Sequence, residues 1–74
     1  MSYRLRVDAL RKAARELGDD SGYAIAKRTG ISEPTISKLL RGKVQPGVKT
    51  LLILTRSYGG SIEDLIELLE EPAA

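Results

Sequence analysis

Thr35, Ser37, Lys38 and Arg41 fall on the outward side of a short segment whose apolar side is Ile36, Leu39 and Leu40. Two hydroxyls, an ammonium and a guanidinium form hydrogen bonds and neutralise anionic oxygens. They suit recognition of a charged or polar surface rather than bond making. The rest of the chain supplies no reaction machinery. Its 74 residues include no His and no Cys, which excludes imidazole acid–base chemistry, thiolate nucleophiles, disulfides and the usual zinc ligand sets. It shows no Gly-rich phosphate-cradling loop and no metal-binding cluster. The expectation is a binding protein: not an enzyme, with no cofactor and no metal.

The charge is sorted along the chain. Residues 1–50 hold 11 Lys and Arg against 5 Asp and Glu, a net of +6; residues 51–74 hold 1 against 5, a net of −4, and the two sum to +2. A basic front and an acidic back would turn one face toward a polyanion; an ordinary mixed surface can show the same asymmetry. At this length the chain has room for one domain, 1–74, with a thin core. It has no covalent staple, so packed helices or a partner chain must supply its stability. No apolar run approaches the ~18 residues of a membrane span. The start, Met1 to Arg6, leads into a charged amphipathic segment rather than an apolar signal core.

These residues must be positioned by helices. Apolar spacing predicts five of them, joined by short Gly-containing turns, with no repeats and no strand pattern of period two. The first is expected from about residue 3 to 17, with Leu10, Ala13, Ala14 and Leu17 at helical spacing and Gly18 ending it. The second is expected over about 21–29, capped by Asp20 or Ser21, with Ile25, Ala26 and Thr29 inward and Gly30 closing it at positive φ. The third is expected over about 32–41, with Ser32 as N-cap, Pro34 in the first turn and Gly42 at its end. The fourth is expected over 48–58. The fifth begins at Ser61, with Asp64 three residues on, and carries the stripe Ile62, Leu65, Ile66 and Leu69 until Pro72 stops it.

The stretch from Ala24 to Gly42 has a particular logic. Ala26 is small, so the second helix can approach the third. Gly30 permits the tight reversal, Ile31 plugs the angle between the helices, and Ile36 and Leu39 anchor the third helix while its other face stays polar. This stretch resembles the Cro/C1-type (XRE-like) helix-turn-helix family of phage and bacterial repressors. Ala26, Gly30, Ser32, Ile36 and Gly42 match the family's pattern, and so do Pro46, Thr50-Leu51-Leu52, Gly59, Ser61-Ile62 and Leu65. The resemblance covers about residues 5–69. It implies an all-α, compact five-helix, lambda-repressor-like domain that binds double-stranded DNA as a transcriptional regulator, a repressor acting at the nucleoid in the cytoplasm.

The family's roles carry over by position. The third helix would enter the major groove. Glu33, Pro34, Ser37 and Lys38 would meet base edges: Lys38 can donate to guanine O6 and N7, Glu33 can accept from cytosine N4, and Pro34 offers apolar contact. Ser21, Tyr23, Lys27, Arg28, Thr35, Arg41, Lys43 and Lys49 would meet the sugar-phosphate backbone. Plainer roles stand beside these. Lys27, Arg28 and Lys49 can equally be solvated, and Glu33 suits the N-terminal dipole of its helix. The chain also departs from the family. Gly22 stands where a Gln is usual, which removes a phosphate contact that the Tyr23 hydroxyl could replace. Leu40 stands where an acidic residue often pairs with an Arg of the first helix, here Arg15.

The fourth and fifth helices are unusually apolar. Leu51 to Leu54 covers nearly every side of the fourth, and Leu68 lies off the main stripe of the fifth. A homodimer through Ile53, Ile62, Ile66 and Leu69 is therefore expected, reading a palindromic operator with two half-sites about one helical turn, ~34 Å, apart. The alternative is a protein-interaction module, such as an antitoxin or anti-activator, that uses the same apolar face and the acidic fifth helix. Five short helices leave little enclosed volume, so no small-molecule effector is expected.

Overall fold

The computed structural model describes residues 2–69. In chain order it contains β1 (Ser2–Leu5), α1 (Val7–Glu16), α2 (Gly22–Thr29), α3 (Glu33–Leu40), α4 (Val48–Tyr58), α5 (Ile62–Leu65) and β2 (Ile66–Leu69). The five helices and their order agree with the apolar spacing. Their core is Leu5, Leu10, Ala14, Ile25, Ile36, Leu39, Leu51, Leu54 and Leu65, so every helix contributes at least one buried side chain.

Both ends differ from the helices expected there. The first helix begins at Val7, and residues 2–5 are extended; the fifth is a single turn, and residues 66–69 are extended. The two strands pair antiparallel, with Tyr3 opposite Leu68, Arg4 opposite Glu67 and Leu5 opposite Ile66. Tyr3-Arg4-Leu5 and Ile66-Glu67-Leu68 each alternate apolar, charged, apolar. That alternation puts Tyr3, Leu5, Ile66 and Leu68 on one face of the ribbon, and the first three of these join or pack on the core. On the other face Arg4 Nε lies 2.8 Å from the Glu67 carboxylate. The helical reading of the fifth segment fails after Leu65, where Ile66 turns extended at φ −124, ψ 155. The ribbon is anchored from outside as well. The Tyr3 hydroxyl donates to the carbonyl of the buried Pro46, and Gln45 Nε2 donates to the Tyr3 carbonyl at 2.9 Å. These bonds fix the loop after α3 against β1.

Ile62 and Ile66, expected at a dimer interface, pack on this chain's own core. Ile53 and Leu69 are half-buried. The exposed large apolar side chains on these elements are Val48 (66%), Leu52 (48%) and Leu68 (62%).

Candidate nucleic-acid interface

The α2–turn–α3 unit is built from local devices. The Ser21 hydroxyl accepts from Ala24 N at 3.1 Å and caps α2 as expected. Gly30 takes φ +78, and its N–H bonds the Ala26 carbonyl at 2.9 Å, which reverses the chain. Thr29 adds a bond that spacing alone does not reveal. Its hydroxyl donates to the Ile25 carbonyl at 2.8 Å and accepts from Ile31 N at 3.2 Å, so it staples the turn. Ser32 sits at the N-cap of α3, yet its hydroxyl bonds the Thr35 hydroxyl at 2.8 Å instead of a backbone N–H. Pro34 lies in the first turn.

Ile36 and Leu39 hold α3 to the core at 0% and 1% exposure, while Glu33, Pro34, Thr35, Lys38 and Arg41 are exposed and Ser37 is half-buried. Two outward stripes result. Glu33, Ser37 and Arg41 lie four residues apart on one, and Pro34 and Lys38 on the next. Past α3, the Lys43 N–H returns to the Lys38 carbonyl at 3.0 Å and Gly42 N–H to the Leu39 carbonyl at 3.1 Å, with Gly42 at φ +70. This closure fixes where Arg41 and Lys43 leave the helix.

Five of the expected site residues share one groove. Ser21, Tyr23, Glu33, Ser37 and Arg41 line an open concavity of about 380 Å³ between the start of α2 and the outward face of α3. Gly22 forms part of its wall. A Cβ built there would lie 3.5 Å from Leu40 Cδ1 and 3.7 Å from Ile36 Cγ2, so the two departures from the family pattern touch each other. Leu40 leans against the bare backbone of Gly22.

Tyr23, Lys27 and Arg28 border a second depression on α2, together with Asp19. Arg28, expected at a phosphate, is exposed and makes an ion pair within the chain. Its Nε bonds Asp19 Oδ2, its Nη2 lies 3.3 Å from Asp19 Oδ1, and its guanidinium sits 5.9 Å from the centre of the Tyr58 ring. The Tyr58 hydroxyl donates to Asp19 Oδ2 at 2.9 Å. The Asp19 side chain is only 12% exposed. The Arg28 hydrogen bond holds its carboxyl below the usual range, and the same bond raises the guanidinium. Burial, with the Asp19 carboxylate beside it, pushes the Tyr58 phenol up to about 12. This triad ties the α1–α2 joint, α2 and the end of α4 together, and it was not legible from spacing. Lys27 is exposed; Lys43 and Lys49 are exposed beyond α3 and at the start of α4, outside both concavities.

No described helix is long and apolar enough to cross a membrane. The helix-turn-helix family model matches residues 11–65, which includes all of α2, α3 and α4. The chain is also 37% identical over 59 residues to the HTH-type transcriptional regulator DdrOP3 of Deinococcus deserti, covering 76% of this chain and 46% of that protein. It thus spans about half the length of this relative. No solved structure matches it. With the α2–Gly30–α3 geometry, the match over residues 11–65 means that the chain belongs to the Cro/C1-type helix-turn-helix family of DNA-binding transcriptional regulators.

Proposed function

We propose that this chain is a sequence-specific repressor that reads the major groove of double-stranded DNA with α3. The observation that carries the reading is the division of α3: Ile36 and Leu39 are fully seated in the core, while Glu33, Pro34 and Lys38 stand exposed. A helix held this firmly can present side chains to base edges without loosening. Lys38 donates to guanine O6 and N7, Glu33 accepts from cytosine N4, Pro34 meets a thymine methyl, and Ser37 completes the base-facing set. Ser21, Tyr23, Thr35, Arg41, Lys43, Lys49 and Lys27 face the sugar-phosphate backbone. Arg28, exposed while paired with Asp19, joins them. Repression follows from occupancy of the promoter, and the mechanism has no catalytic step.

The repressor works as a homodimer on a palindromic operator. Exposed Leu68 and Leu52, with half-buried Ile53 and Leu69 near them in sequence, support a self-association surface on α4 and β2. Ile62 and Ile66 contribute mainly to the protomer's own core. Dimethyl sulfate protection on a bound duplex tests groove choice. Protection of guanine N7 is expected, and protection confined to adenine N3 in the minor groove would contradict it. Sedimentation equilibrium tests the dimer. A mass that stays monomeric up to high micromolar protein, with and without Leu68→Glu, would refute it.

A further inference from the structure

We propose that Arg11 of α1 is a DNA-backbone contact, which joins Arg41 in holding one phosphate of the duplex beside Gly22. The proposal rests on the DNA-binding reading above. Along the sequence, Arg11 is one of several outward charges on the first helix, far from the turn. The structure brings it into the groove between α2 and α3, where it shares the lining with Ser21, Gly22, Glu33, Ser37 and Arg41.

Two guanidiniums face one carboxylate in that groove. Among the described residues the ion pairs are Arg4–Glu67 and Arg28–Asp19, so Arg11 and Arg41 have no carboxylate partner there. Two guanidiniums bordering one concavity repel each other and favour an anion between them. Glu33 also lines the groove, but eight residues of helix at 1.5 Å rise separate it from Arg41, about 12 Å along the axis. Gly22 lies against the middle and end of α3, its Cβ position 3.5 Å from Leu40 Cδ1 and 3.7 Å from Ile36 Cγ2. Glu33 therefore repels a phosphate from the start of α3 and directs it toward the arginines. Neither Gly22 nor Leu40 offers a polar side chain to a phosphate there, so the guanidiniums supply the reach. Asp19 and Asp20 border a separate crevice that Arg11 and Arg15 also line. Asp19 is already engaged by Arg28 and Tyr58. The Glu33–Ser37–Arg41 stripe continues from the base-facing surface into the groove, so a duplex seated on α3 passes its backbone over this end.

The test compares wild type with Arg11→Gln, Arg11→Lys and the control Lys12→Gln, an exposed neighbour on the same helix, on one duplex selected by the wild type. Binding is titrated against salt. Arg11→Gln is expected to weaken specific and non-specific duplexes by the same factor and to lower the log–log salt slope by about 0.9 per bound protomer. The thermal midpoint should not change. Arg11→Lys should restore most of the slope, and Lys12→Gln should leave it intact. Neutral methylphosphonate is then placed at single positions. One position is expected to weaken wild type while leaving Arg11→Gln no weaker than before. Unchanged affinity and slope in Arg11→Gln would overturn the proposal, as would a loss that tracks a lowered thermal midpoint with the slope intact. If wild type itself binds no duplex, the DNA-binding reading fails, and that outcome is distinct from failure of Arg11 alone.

Discussion

Ile36 is the anchor of α3, and truncating it should separate stability from recognition. The side chain is fully buried, at 0% exposure, in the cluster with Ile25, Leu39 and Leu54. Ile36→Ala removes three carbon groups at about 0.8 kcal/mol each, or about 2.4 kcal/mol of transfer free energy. The cavity left behind raises the loss to about 3 kcal/mol, within the range for such truncations. In a domain of this size each kcal/mol lowers the melting midpoint by about 4–8 °C, so a drop of about 12–24 °C is expected. Ile36→Val, which removes one carbon, should cost about 1 kcal/mol. The assay is thermal and urea unfolding of the three proteins, followed by base-preference measurements well below each midpoint. Base preference should persist in the folded fraction, because Glu33, Pro34 and Lys38 lie on the exposed side of the helix. A shift of only a few degrees for Ile36→Ala would refute the anchoring argument. Altered base preference in Ile36→Val at full folding would show that burial and readout are not separable as argued.

Gly22→Ala is expected to raise stability by about 0.4–1 kcal/mol, since its Cβ would meet Leu40 at an ordinary contact of 3.5 Å and the unfolded chain would lose freedom; urea unfolding reads this, and destabilisation would mean that the wall is tighter than described. The Arg28 bond lowers the Asp19 carboxyl from 3.8, so its contribution is present above about pH 4 and is lost as pH falls through the lowered value. Asp19→Asn should therefore flatten the acid limb of a stability–pH profile, and an unchanged limb would contradict the triad. The Tyr58 phenol is raised from 10.0 to about 12, so its contribution is complete below pH 10 and is lost as pH rises toward 12. Tyr58→Phe should remove the step near pH 12 from the alkaline tyrosinate absorbance titration and weaken the alkaline decline in stability.

What was legible in the sequence is what acts locally. Ser21 caps, Gly30 reverses, Pro34 starts and Gly42 stops within a few residues of their own positions, so α2, the turn and α3 fall where spacing puts them. Ile36 and Leu39 could be read as inward because a helix repeats every 3.6 residues. What was not legible depends on residues far apart in the chain. Ile62, Leu65, Ile66 and Leu69 satisfy helical spacing, but Ile66–Leu69 pairs as a strand because Ser2–Leu5 arrives beside it. That strand's pairing also explains why the first helix starts only at Val7. The Asp19–Arg28–Tyr58 triad spans 39 residues between Asp19 and Tyr58, and it pairs the still-exposed Arg28 with a partner that its position did not suggest. Arg11 likewise gains its place only once α1 packs beside the start of α2. Gly22 and Leu40 were each visible as departures, whereas their contact with one another was not.

Base reading by α3 is put to the test by selecting binding sites from a pool of random duplexes at moderate salt, with wild type and Lys38→Ala in parallel. Lys38 is exposed, so its truncation should leave the fold intact. Wild type is expected to select a palindromic motif, and Lys38→Ala to lose preference at one position per half-site, worth about 1–3 kcal/mol there. A motif identical in both proteins, or no enrichment for either, would contradict it.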